Sequence, residues 1–262
     1  MCDRVRTVAR TPRRFRAIDV VERATNLGLS GSVIKGVGEC LGEREQVIVV
    51  EDDLVVSTQF IEFMSRGLEL YQDDERVASV HGYVYPVEDD LPDSFFLRGA
   101  DCWGWGTWRR AWERFCPDGQ ILLEGLKAER LERVFDLDGG LDYTRMLRDQ
   151  IAGRNDSWAV RWHASAFLAG MFTLYPGRSL VRNTGFDGTG THSGRNGDDW
   201  NAPWSDLPMP ERIAIEEDPA ARSAIIAWLR RRRSPARRIA RWLGGLGKIS
   251  REGSMGHSGG SR

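Results

Sequence analysis

Long hydrophobic runs are missing from this sequence. No stretch of about 18 apolar residues occurs, so no segment reads as a membrane-spanning helix, and the N-terminal residues lack the apolar core of a signal peptide. Cysteine is scarce as well. The four present, Cys2, Cys40, Cys102 and Cys116, have no paired metal-ligand spacing and are too few to staple a disulfide scaffold. A soluble body in a reducing, cytoplasmic compartment is the expectation. Phosphate-binding signatures are also lacking. The glycine-rich stretch from Asn183 to His192 has neither the Gly-Lys-Ser/Thr ending of a Walker loop nor a dinucleotide fingerprint.

Net charge is small, at −1, but unevenly spread. Residues 1–16 hold six arginines against one aspartate, a net of +5, and residues 230–262 hold ten lysines and arginines against one glutamate, a net of +9. That leaves the stretch between them at −15. An acidic body with basic ends argues against a specific nucleic-acid partner, which would meet positive charge on a folded face. At 262 residues and 41% hydrophobic content the chain can bury one large core. The division expected is a basic segment at 1–14, a folded domain at 15–229 and a basic, flexible tail at 230–262. In the tail, Trp228, Leu229, Ile239, Trp242, Leu243 and Leu246 lie among the arginines. Such a segment suits either an anionic membrane surface or a disordered charged end.

What is present in strength is one acidic knot. Val47 to Val50 is a β-branched run that reads as a strand buried on both faces at the centre of a parallel sheet. Glu51, Asp52 and Asp53 follow at its carboxyl end, the edge where open α/β sheets bind ligands. Acids also collect ahead of helices for their N-terminal dipole. Here Leu54, Val55 and Val56 separate them from Ser57 and Thr58, the candidate caps.

Alternating strand and helix patterns predict an α/β fold. Phe15 to Val21 reads as a strand and Ser30 as the cap of a helix carrying Val33, Val37 and Leu41; with Val47 to Val50 these make a right-handed parallel crossover unit. Phe60, Phe63, Met64, Leu68 and Tyr71 form a core-facing helical stripe. Strands are expected at Val77 to Tyr83, Phe95 to Leu97, Ser157 to Trp162 and Phe172 to Tyr175, and a helix over Leu122 to Phe135. Trp103-Gly104-Trp105-Gly106-Thr107-Trp108 reads as irregular backbone; Trp103 or Trp105 suits a wall for a sugar or base ring, and Trp108 and Trp112 the core. Asp142, opening a helix after Gly139 and Gly140, is either a simple N-terminal acid or a general base. His192 is either solvated or within reach of a metal or diphosphate.

In order, these pieces resemble glycosyltransferases of the GT-A fold, nearest to bacterial family 2-like sugar transferases related to N-acetylglucosaminyltransferase I. The likeness rests on Asn26 to Ser30, Val49 to Leu54, Trp103 to Trp108, Asp156-Ser157-Trp158 with Arg161-Trp162, and Tyr175-Pro176-Gly177 followed by Asn183 to His192. It spans about residues 15–194. The resemblance implies a GT-A-like, Rossmann-like mixed sheet flanked by helices and N-terminally truncated, since Met1 to Arg14 has no strand pattern where such enzymes hold the nucleotide base.

By the same likeness, Asp53 holds Mn²⁺ or Mg²⁺ on the diphosphate of a nucleotide-sugar donor. Asp52 lies near the ribose, Glu51 near the donor sugar or nucleotide, and His192 near the diphosphate. Trp103, Gly104 and Trp105 border the sugar and the acceptor, a saccharide or glycolipid. Asp142 is the base of an inverting transfer, with Asp156 the alternative. A non-catalytic remnant, or a nucleotide-sugar-binding module completed by a partner, is the competing expectation.

Overall fold

The computed structural model of the protein describes residues 2–11, 15–185, 200–202, 204 and 206–233. The elements begin with helix α1 (Cys2–Arg10), helix α2 (Gly28–Glu43), strand β1 (Gln46–Val49), strand β2 (Leu54–Val56) and helix α3 (Phe60–Leu70). Strands β3 (Val77–His81), β4 (Ser94–Arg98) and β5 (Trp105–Trp108) follow, then helices α4 (Arg109–Trp112), α5 (Gly119–Ala128) and α6 (Glu132–Phe135). Helices α7 (Tyr143–Ile151) and α8 (Trp158–Leu168), strands β6 (Phe172–Pro176) and β7 (Val181–Asn183), and helix α9 (Pro219–Arg233) complete the set. No described helix is long and apolar enough to cross a membrane.

The main sheet has the order β1-β5-β3-β6-β4, in which β3 and β6 are parallel and every other neighbouring pair is antiparallel. This is a mixed α/β fold. Strand β5 shows how the layers form. Alternation turns Trp105 toward Trp158 and Trp162 of α8, with ring centroids 5.4 and 6.0 Å away, while Trp108 donates its indole N–H to Leu68 O of α3 at 3.2 Å. The sheet is therefore held between α3 and α8. A Cβ at Gly106 would lie 3.1 Å from Leu68 Cδ1, and one at Gly67 would lie 2.9 Å from Val80 Cγ1, so the two glycines let α3 close onto the sheet. The stripe Phe60, Phe63, Met64, Leu68 and Tyr71 is buried as its period predicts. A second cluster, including Leu122, Leu126, Phe135, Leu147 and Phe167, joins α5, α6, α7 and α8.

Four local expectations are overturned. Residues 15–21 form no strand and lie exposed, charged Arg16 and Asp19 having interrupted any apolar face, so the predicted crossover unit does not form. Strand β1 is not central and parallel. It lies at the edge of the sheet, half-buried, paired antiparallel with β5, and its outer side carries no strand among the described residues. The tryptophan-glycine stretch is regular from Trp105 onward, because Gly106 fits where a side chain would strike α3. Ser157 to Trp162 enters helix α8. It is buried on nearly every side, Arg161, His163 and Ser165 included, so periodicity alone cannot separate strand from helix, and the Ser157 hydroxyl accepting from Val160 N–H at 3.2 Å marks a helix start.

Two smaller differences concern helix ends. The stretch from Leu122 is broken between α5 and α6, where Arg130 takes φ 57°. Ser30 lies inside the first turn of α2 instead of capping it. At the other end of the chain, α9 runs across the boundary drawn at residue 229, and the tail from 234 lies outside the described residues.

Candidate functional site

The acidic triplet occupies a turn, not an extended strand end. Leu54 N–H donates to Glu51 O at 3.2 Å, closing the turn between β1 and β2. Asp52 points to solvent, while Glu51 and Asp53 are half-buried. Strand β2 pairs with β7, Leu54 opposite Asn183, and this brings Thr184 onto the triplet. Both the N–H and the hydroxyl of Thr184 donate to Asp53 O, each at 2.8 Å. Gly185 follows, so close that a Cβ there would fall 2.4 Å from Asp53 Oδ2. Asp53 Oδ1 is buried and has no hydrogen-bond partner among the described residues.

The tryptophan loop lies near the acidic turn. The β1–β5 register pairs Val49 with Trp105, and Cys102 at the head of this loop feels the charge of Glu51 and Asp53. Trp103 N–H donates to His81 Nε2 at 3.0 Å, and Gly82 N–H donates to Gly104 O at 2.7 Å. The Trp103 ring is part-exposed and meets Tyr83 at 4.7 Å and Trp200 at 6.3 Å between centroids. Gly104 is buried at φ 66°, where a Cβ would lie 2.7 Å from Val181 Cγ2. Trp105 is fully buried among Trp112, Trp158 and Trp162. Of the three residues expected to border a donor, only Trp103 is part-exposed. Gly104 and Trp105 build the core beneath it, because strand alternation turns Trp105 inward and Gly104 is the close approach that lets the loop dock on β7.

Charge on these groups is set by burial and by one another. Burial, then Asp53 and Asp52, pushes the Glu51 carboxyl up to about 7. Asp53 is raised by burial and by Asp52, and the Cys102 thiol by burial and then by Asp101, Glu51 and Asp53. The carboxylates thus share one low-dielectric neighbourhood.

Asp101 belongs to it and was given no role from the sequence. Its Oδ1 accepts from Cys102 N–H at 2.8 Å, and its charge, after burial, helps raise the Tyr175 hydroxyl. Its charge, secondary to burial, also helps hold the buried hydroxyls of Tyr83, Tyr85 and Tyr143 in their neutral form. The available signal was its place at the head of the tryptophan stretch, following Gly99. That glycine takes φ 95°, and a Cβ on it would strike the His163 ring.

Asp142 directly precedes α7 but makes no side-chain capping bond, a task done by Asp136 Oδ1, which accepts from Thr144 N–H at 2.6 Å. The Tyr143 ring turns inward, meeting Phe135 at 5.7 Å and His163 at 4.6 Å between centroids. The Asp142 carboxylate turns outward and is paired with Arg233. Asp156 accepts from Ser30 N–H at 3.3 Å and so braces the start of α2. His192 lies outside the described residues.

Metal fit can be judged from the oxygens present. Asp53 Oδ1 is an orphaned buried acceptor, and Glu51 adds a second carboxylate from the same turn; hard divalent cations favour such a donor set. Among the described residues no three His, Cys, Asp or Glu side chains form a ready metal cage. Neither a scan of protein-family models nor a search of curated proteins finds a match to this chain.

Proposed function

We propose that the protein is a metal-dependent glycosyltransferase with a GT-A-like sheet, moving a sugar from a nucleotide-sugar donor to a hydroxyl of a saccharide or glycolipid acceptor with inversion. The observation that carries this reading is the Asp53 carboxylate, closely approached by Gly185 in the turn after β1, with one oxygen buried and unpartnered among the described residues. A buried acceptor left without a donor is costly, and a bound cation would offset that cost here.

Asp53, with Glu51 beside it, would hold Mn²⁺ or Mg²⁺, and the ion would supply positive charge for the departing diphosphate. Asp52 faces solvent at the same turn, where a ribose hydroxyl would meet it. Trp103 offers a ring face to the sugar. The acceptor oxygen attacks the anomeric carbon, the bond from that carbon to the diphosphate oxygen breaks with its electron pair leaving on the diphosphate, and the acceptor proton passes to Asp142. One in-line displacement of this kind needs no enzyme nucleophile. The arginine-rich end would hold the protein at the inner face of a membrane, in the cytoplasm, near a glycolipid acceptor.

The experiment is a thermal-shift series with UDP-, GDP- and dTDP-sugars, with and without Mn²⁺, on the wild type and Asp53→Ala. A donor at about 100 times its dissociation constant should stabilise the wild type by about 2.7 kcal/mol, and only with metal. Asp53→Ala should melt cooperatively and show no shift. A shift that survives the substitution would sink the reading.

A further inference from the structure

The last turn of α9 is more than a charged end. Arg222 pairs with Asp138 at 2.7 Å, Arg230 donates to Asp138 O at 2.7 Å, and Leu229 packs on Gly140, where a Cβ would lie 3.1 Å from Leu229 Cδ1. These contacts fasten the helix to the loop that leads into α7. Arg233 adds something they do not require. One guanidinium nitrogen lies 2.8 Å from Asp142 Oδ1 and 2.7 Å from Oδ2, and a second nitrogen donates to Gly139 O at 3.3 Å. Both oxygens of the proposed base are therefore engaged by a permanently charged group.

A carboxylate acting as base must aim a free lone pair at the acceptor hydroxyl from hydrogen-bond distance. With Arg233 seated across both oxygens, that approach is contested. The geometry points to Arg233 as an intramolecular brake on Asp142, a residue that acts on the transfer reaction through the base without touching substrate. This rests on the transferase reading and on Asp142 as its base. The pair is half-exposed, with side-chain accessibilities of 45% and 56%, so it is weak enough to open and sensitive to salt. Since Arg222, Arg230 and Leu229 already anchor α9, removing Arg233 should leave the fold intact.

The test compares the full chain with Arg233→Gln, Arg233→Lys and Asp142→Asn by two readouts. The first is the rate at which a water-soluble carbodiimide and an amine label the Asp142 carboxylate, followed by mass spectrometry and independent of activity. The second is transfer kinetics, with donor binding measured separately in Mn²⁺. Arg233→Gln should label several-fold faster and raise kcat about two- to fivefold at unchanged donor affinity, the factor that an exposed ion pair supplies. Arg233→Lys should stay near the wild type. Raising salt from about 0.01 to about 0.15 M should speed the wild type and leave Arg233→Gln unchanged, because only the wild type has a pair to screen.

Equal labelling of wild type and Arg233→Gln would mean that the pair does not form in solution and would overturn the proposal. Faster labelling with a lower kcat would do so as well, making Arg233 an orienting group instead of a brake. Full transfer by Asp142→Asn would move the base elsewhere and remove the brake with it. Failure of the wild type to bind any donor in a metal-dependent way would instead strike the transferase reading itself, while the labelling arm would still report whether the contact exists.

Discussion

The carbonyl oxygen of Asp53 accepts two hydrogen bonds from Thr184, one from its N–H and one from its hydroxyl, both at 2.8 Å. The acidic turn is thereby tied to the strand that leads toward His192, two parts of the sequence separated by 131 residues. Thr184→Val keeps the shape and the backbone bond and loses the hydroxyl bond. Stability should fall by no more than about 1 kcal/mol, since the hydroxyl is solvent-accessible. Metal-dependent donor stabilisation should fall further, because the turn that presents Asp53 is less firmly held. Calorimetry of metal and donor binding against a denaturant melt separates the two, and equal losses in both would make the tie merely structural.

Trp103 and Trp105 are two residues apart and should behave in opposite ways. Trp105 is wholly buried between the sheet and α8, so Trp105→Ala should cost about 3–5 kcal/mol in a urea melt and reduce the yield of folded protein. Trp103 is part-exposed, so Trp103→Ala should cost less in stability and more in donor or acceptor affinity. A Trp103→Ala protein with unaltered binding would remove its ring from the site.

Two buried histidines set an acid limit on stability. Burial lowers both His81 and His163 from the usual value of 6.5. As pH falls below about 6.5 the unfolded chain takes up these protons before the folded one does. Stability is therefore full above that value and lost toward the lowered folded values, at up to about 1.4 kcal/mol per pH unit for each histidine. Glu51, raised to about 7, works the other way in the metal-free protein, gaining a proton in the folded state first. Melts from pH 8 down to pH 5 should lose stability more steeply in a Glu51→Gln background, where the opposing Glu51 contribution is gone, and His163→Gln should reduce that loss. A flat profile would mean that neither ring is held neutral.

The sequence made some of this legible and hid the rest for physical reasons. The α3 stripe was readable because a helix buried on one face shows its period, and the acids at the end of Val47 to Val50 were readable because three adjacent carboxylates have few structural uses. The position of β1 was not. A β-branched run suits any strand with apolar neighbours, and edge or centre depends on which strands pair with it. Helix α8 was hidden because Trp158 to Phe167 is buried all round, which erases periodicity. Asp101 was hidden for a different reason: its significance lies in the tyrosines that the fold gathers around it, and these are scattered from Tyr83 to Tyr175.

Asp156 stands beside Asp142 as a second carboxylate at a helix start, and the structure gives it a different task. Its Oδ2 accepts from Ser30 N–H at 3.3 Å, and buried Arg161 donates to the Ser30 hydroxyl while also bonding Pro117 O at 3.0 Å and Ser157 O at 3.2 Å. The two side chains grip the first turn of α2 from α8 and the residue cap before it. Asp156→Asn weakens an acceptor at a helix N-terminus and should cost about 1 kcal/mol. Arg161→Met should cost more, about 3 kcal/mol, because it strands three buried or half-buried acceptors at once. Transfer measured at saturating donor should be nearly unchanged in Asp156→Asn and reduced by orders of magnitude in Asp142→Asn. The reverse pattern, with both proteins folded, would assign the proton to Asp156 and leave Asp142 as no more than the partner of Arg233.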